Sequence, residues 1–484
     1  MSYSKETTQV SVTSEVGRLR RIIIHSPDEG IGKVIPTKAQ DWLFEDIIHL
    51  ETMRRKEYDL YVKLLLYFLD YNLIHPQINQ IDNPENDRGF YKPDHPNFHK
   101  SEKVLDTQWL LGGILENKDV RNMLTASVCS LENISYSRQS ELLELSSADL
   151  ASTLISGLLP NGRMIFAPIP NYIFTRDIAI AVKDHILLNR PAKKARHREA
   201  LLTKYIFFNH PIFANYKDKI IEIADHEDFF LLEGEEREMK RISLEGGDVM
   251  MVAPNHLMIG VSERTSLHAA SQVIKTLFDK EVVEKVTVIK IPKKRAYMHI
   301  DTTFTQVKRN LWVIFPAFSR IGKRELEEDF IKSLGENPED ISIHILQYSK
   351  GNLEKPKTFE YLEDLLDDIS RNDLGSKQPT EFIYSGDGVF PFGQREQWTD
   401  SCNVLALKEG VVIGYDRNDK TANGFRKKGM DVVHAADLLE KFKSGELHPD
   451  QVENTLILLP SAELSRARGG SHCISCPIMR DSLF

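Results

Sequence analysis

The chain has 484 residues, 41% of them hydrophobic and 27% charged, with a formal net charge of −9. That balance gives no sign of disorder and fits a globular chain of one large or two to three domains; phosphate-backbone binding shows as a basic patch or stripe, so the acidic balance argues against nucleic acid and would instead attract a cationic small molecule. No apolar run nears the roughly 18 residues of a bilayer span, the start has no signal-peptide pattern, and only Cys129, Cys402, Cys473 and Cys476 occur, so a cytoplasmic protein without membrane partners or a disulfide framework is expected.

In chain order, Leu19–His25 reads as a first strand. Residues 45–158 change character: Glu51–Leu69 carries apolar positions at a period near 3.6, which predicts a helical insertion, interrupted over Asn83–Pro96 by a breaker-rich loop. Four similar segments follow. Each begins at an aspartate, runs through apolar residues, turns at a polar tip and returns: Asp177–Asn189, Asp248–Ser262, Asp301–Phe315 and Asp400–Tyr415. These predict β-hairpins, with Leu19–His25 a degenerate fifth member, repeated about a common axis so that the aspartates converge at one end. The polar stretches near 321–380 and 436–454 read as peripheral additions, and Asn372–Pro379 as a mobile turn.

The chemistry gathers at the hairpin starts. Phe174–Asp177, Leu244–Asp248 and Met298–Asp301 place carboxylates or an imidazole where a turn enters a strand, and on a strand His299 and Asp301 would share a face. Gly246 and Gly247 let backbone approach a ligand. At the C-terminal end, Glu463–Cys476 sets Cys473 behind an arginine-bearing, glycine-rich loop, where nearby positive charge or a cationic substrate would favour a thiolate nucleophile. Taken singly each feature has a bland reading: aspartates stabilise turns, a lone histidine is structural, and two cysteines are two ordinary thiols. Recurrence of all of them beside a nucleophile candidate weakens that reading. No second cysteine or histidine pair at ligand spacing accompanies Cys473 and Cys476, which argues against zinc.

Together with Val16–Pro27, Leu43–Asp46, Pro170–Asp177, Pro191–Glu199, Ser262–Thr265, Met298–Phe304, Arg395–Trp398 and Arg468–Cys473, these motifs resemble the bacterial-type arginine deiminases of the guanidino-group-modifying, or pentein, superfamily. The resemblance implies an α/β fold: a five-bladed pseudo-symmetric α/β propeller of ββαβ units, with residues 1–44 its first segment, 45–158 an inserted helical module and 159–484 the remaining, catalytic part. It implies hydrolysis of free L-arginine to L-citrulline and ammonia through a covalent thiouronium on Cys473, with no metal or organic cofactor. By residue, it makes His299 the general acid/base, Glu245 the acid that orients and charges it, and Asp177 and Asp301 the carboxylates gripping the guanidinium. Arg196 and Arg264 would hold the α-carboxylate, with Asn171 a polar contact, Phe174 an aromatic wall and Arg468 a loop arginine closing the site. Arg198 competes with Arg196 for that role. His472 is expected to shape the loop, Asp248 to support from behind, and Cys402 to be small and half-buried. The chain is expected to be longer than most members, and whether it assembles as a homo-oligomer stays open. Alternatives are an amidinotransferase, an arginine dihydrolase, or a non-catalytic arginine-binding protein.

Overall fold

The computed structural model describes residues 9–81, 89–322 and 342–484. The first eight residues, the first half of the breaker-rich loop and part of the 321–380 stretch lie outside them. All four predicted hairpins form: Ala179–Val182 pairs antiparallel with His185–Leu188, Val249–Ala253 with His256–Val261, Phe304–Lys308 with Leu311–Ile314, and Leu405–Lys408 with Val411–Tyr415. In each, the second strand also takes a parallel neighbour, respectively Ile220–Ile221, Lys285–Lys290, Glu381–Tyr384 and Thr455–Leu459. A parallel neighbour requires a crossover. Helices His197–Asn209, Leu267–Asp279, Leu362–Asp368 and Asp419–Lys427 lie in those connections.

A fifth sheet repeats the pattern across the chain ends. Leu19–Ile24 pairs antiparallel with Cys476–Arg480 and parallel with Val104–Asp106. The predicted first strand is therefore the second half of a split hairpin whose first half comes from the far end of the chain. Val104–Asp106 is a short strand within the mostly helical stretch 45–158. Its last residue ties two elements together, because the Asp106 carboxylate accepts from the Ser26 amide and from the Gln108 and Trp109 amides that open helix Thr107–Ile114.

Two stretches read as peripheral additions carry elements that join the sheets and core. His344–Ser349 and Asn352–Phe359 extend the sheet of Lys285–Lys290 to five strands. Helix Ala435–Ser444 buries Leu438, Leu439 and Phe442 in one core with Tyr67 and Phe68 of helix Asp59–Leu69. Asp373, inside the stretch read as a mobile turn, is bonded to His256 and Lys285.

The hairpin starts are what position the site. Short 3-10 turns at Thr175–Asp177, Gly246–Asp248 and Ile300–Thr302 precede three of the first strands, and Asp400 precedes the fourth. In the split fifth sheet the corresponding turn, just ahead of Cys476–Arg480, contains Cys473.

Candidate active site

These turns meet around one enclosed cavity of about 30 Å³, room for a water molecule or two. Nine of the ten predicted site residues line it: Asn171, Phe174, Asp177, Arg196, Glu245, Arg264, His299, Arg468 and Cys473. Asp301 is the exception. It stands behind the thiol, with Oδ2 3.7 Å from Cys473 Sγ. His299 and Asp301 do not share a strand face as expected, because a 3-10 turn intervenes before the strand starts at Phe304.

Backbone spacing on the floor of the site is tight enough to require glycine. A Cβ at Gly246 would fall 2.0 Å from the Arg176 carbonyl, and one at Gly247 would fall 2.5 Å from His299 Nδ1. Freed of side chains, the Gly247 amide donates to Asp177 Oδ1 at 3.1 Å. His299 Nε2 lies 3.0 Å from Glu245 Oε2, and its Nδ1 lies 3.9 Å from Asp177 Oδ1. Asp248 supports from below as expected, accepting from the Ser262 hydroxyl and the Ile300 amide.

A guanidinium already occupies the acid cluster. Arg196 Nη1 donates to Asp177 Oδ2 at 2.8 Å and to Glu245 Oε2 at 3.2 Å, while its Nε donates to Glu199. One atom each from Asp177, Glu245 and His299 falls within 4.8 Å of the others, a set that could also offer ligands to a metal ion; here Arg196 brings the cation to two of them. Arg198 does not line the cavity. It bonds Glu132 and the carbonyls of Ile155 and Ala167, and lies over the Phe166 ring.

The electrostatics follow from burial of many acids in one place. Burial works against protonation of His299, yet the Asp177 charge, the bond to Glu245 and the Asp248 charge push its pKa up to about 10. Glu245 is held well below the usual carboxylate range: burial opposes this, but Arg196, the His299 bond and Arg264 outweigh it. Burial pushes the Cys473 thiol well up, and Asp301, Asp177 and Asp400 push it further. Without a cationic ligand, the thiol holds its proton.

Several neighbours of the site were not among the predicted site residues. Asn403 joins two turns, accepting from the Cys473 amide at 3.0 Å and donating to the Asp301 carbonyl at 3.1 Å. Behind Asp301, His472 Nδ1 lies 2.9 Å from its Oδ2, and the other side of that ring meets Glu15 and Arg176. Asp400 also lines the cavity, as do Glu45 and Arg295, which pair with each other. Asp400 carried a signal in the sequence, the aspartate heading each hairpin. Cys402 is fully buried, against the expectation of half-burial, because it sits in the core under Thr305, whose hydroxyl donates to its carbonyl. Cys476 is buried as well, its thiol 3.2 Å from the Ala179 carbonyl.

The sequence model described as "Arginine deiminase" matches residues 96–480. An arginine deiminase of Oenococcus oeni is 28% identical over 488 residues, covering 99% of each chain, and one of Borrelia garinii subsp. bavariensis is 28% identical over 481 residues, covering 98% of each. Among solved structures, SxtG, an amidinotransferase from Microseira wollei, is 13% identical with a TM-score of 0.44 over 98% of this chain and 99% of that one.

Proposed function

The chain belongs to the arginine deiminase family, and from that premise we propose that it hydrolyses free L-arginine to L-citrulline and ammonia. One observation carries the reading: a thiol and a carboxylate-bound imidazole face a single cavity whose acids already clasp a guanidinium, that of Arg196. We take the five sheets as the blades of one α/β propeller, with the cavity on its axis and residues 45–158 following strand Leu19–Ile24 of the fifth sheet and supplying its parallel strand Val104–Asp106.

A cavity of about 30 Å³ cannot hold arginine beside the Arg196 guanidinium. Substrate therefore displaces that side chain, which turns with Arg264 to meet the α-carboxylate, Asn171 and Phe174 flanking the stem. The substrate guanidinium takes over Asp177, and Asp301 Oδ1, buried and without a hydrogen bond, accepts from it as well. Paired hydrogen bonds fix the planar cation in line with Cys473. Its charge also offsets the acids that hold the thiol protonated, so binding favours the thiolate.

Cys473 Sγ then bonds to the guanidinium carbon. His299, charged near neutral pH, gives a proton to the departing nitrogen, and the C–N bond breaks to leave ammonia and a thiouronium. Water next gives a proton to the neutral His299 and adds to the same carbon. Collapse forms the ureido carbonyl and breaks the C–S bond, the hydroxyl proton passing to the departing sulfur, and frees citrulline.

Purified protein supplied with arginine is expected to yield citrulline and ammonia in equal amounts without an acceptor amine. Ornithine with two ammonia would replace this reading with a dihydrolase, and turnover only with an added amine would replace it with a transferase. Cys473→Ala should lower the rate by about 10⁴-fold or more; arginine binding without turnover by the wild type would leave a binding protein.

A further inference from the structure

Building on that reading, we propose that Asp400 is a positioning residue that seats Arg468 over Trp398 and so holds the Arg468–Cys473 loop closed on the cavity. The Arg468 side chain is 2% exposed, and its ion-pair partner among the described residues is Asp400, Nη1 to Oδ1 at 3.3 Å. Its other contacts are neutral: the Trp398 carbonyl at 2.7 Å, the Ala296 carbonyl at 2.9 Å, and the Trp398 ring, 4.1 Å from the guanidinium carbon. A buried cation held by carbonyls and a ring alone would be uncompensated, so the carboxylate decides where it rests. Asp400 depends on the pair equally, since its buried Oδ2 has no hydrogen bond and Asp301 repels its charge.

Backbone conformation points the same way. Asp400 has φ +64° and Arg468 φ +67°, both in the left-handed region that side chains other than glycine rarely adopt. Strain at both ends of one ion pair persists only where the surroundings enforce it. Arg468 is five residues from Cys473, and the intervening Gly469 and Gly470 pack so closely that a Cβ would fall 2.4 Å from the Phe174 ring and 2.6 Å from Asn403. The docking point of the guanidinium thus sets the path of the segment that delivers the thiol.

The charged and titratable groups that act on Asp400, or feel it, are Arg468, Asp301, Cys473, Tyr415 and Cys402. Burial raises the carboxyl to about 7, Arg468 opposing and Asp301 adding to the rise, and the Gly469 amide also favours the ionised form. Above that pH the pair is charged on both sides. Below it Arg468 loses its counter-charge.

The test compares Asp400→Asn, Arg468→Ala and the double variant in the full chain. Trp398 emission is isolated by subtracting a Trp398→Phe background, and KM for arginine is measured at pH 5.5 and 8.5. Asp400→Asn should reproduce the emission change of Arg468→Ala, with nothing added in the double variant. It should raise KM by about tenfold at pH 8.5 and match the wild type at pH 5.5, where the carboxyl is protonated in any case. Wild-type Trp398 emission should itself titrate near pH 7, a readout needing no change at Asp400. Unchanged emission in Asp400→Asn, additive effects in the double variant, or a flat wild-type titration would overturn the proposal. If arginine is not turned over at all, the proposed function falls while the emission measurements still decide this one.

Discussion

Gly247 and Glu245 show how narrowly His299 is placed. A methyl group at 247 would meet the imidazole at 2.5 Å, and the ring has Glu245 on its far side. Gly247→Ala should therefore keep the fold and displace the ring, at a cost of about 100-fold in rate; a rate within twofold of wild type would show that His299 has slack. After the Asp177 charge, the bond to Glu245 and its charge help raise the His299 pKa to about 10, and Glu245→Gln removes that charge and leaves only a weaker amide acceptor. With that support gone the imidazole loses its proton at lower pH, so the basic limb of the pH–rate profile should move to lower pH and kcat fall by about 10²-fold. A basic limb that stays in place would assign that limb to another group. Both residues were legible in the sequence as a Leu-Glu-Gly-Gly-Asp run entering a strand. The Glu15–Arg176–His472 group was not, because its members are brought together from positions 161 and 296 residues apart.

At the scale of elements, legibility tracked local pattern. The four hairpins show alternation or continuous apolar runs around a polar tip, a signal carried within some fifteen residues, and all four form. Val104–Asp106 is a strand of three residues, too short to show any period, and exists because Ile22–Ile24 offers it a parallel edge. Helix Ala435–Ser444 looked peripheral since only contact reveals what its apolar face covers. That face is tightly held: Phe442 is fully buried, with ring centroids 5.2 Å from Tyr67 and 5.7 Å from Phe68. Phe442→Ala should destabilise the protein by about 3–5 kcal/mol, visible as a lower denaturation midpoint with unchanged slope. A loss below about 1 kcal/mol would mean the helix is indeed an accessory.

For the whole molecule, the buried acids make stability depend on pH in a stated direction. Burial raises Asp248 to about 6 and Glu57, Glu199 and Asp400 to about 7, so between pH 4 and 7 the folded chain holds protons the unfolded chain has lost, and stability falls as pH rises. His299 adds to this: its raised pKa contributes stability that is complete below about 6.5 and lost as pH rises through about 10. Glu245 and Asp301, held low, act oppositely, their contribution present above the ordinary carboxylate range and lost on strong acidification. Tm should thus be higher at pH 5.5 than at pH 8.5, and arginine should raise the Tm of Cys473→Ala more at pH 8.5, where more of the acids are ionised. A Tm that rises across that range would contradict the charge distribution described here. What the sequence alone determined was the hairpin repeat, the family resemblance and nine of the residues that line the cavity, because strand pattern, turn chemistry and short motifs are local. Only the tertiary structure decided that a split hairpin closes the fifth sheet through both ends of the chain, that Arg196 rests on the acids expected to bind substrate, that Asp301 lies behind the thiol and that Asp400 pairs with Arg468. Each of those depends on distance and burial between residues far apart in the chain, which no run of neighbouring side chains encodes.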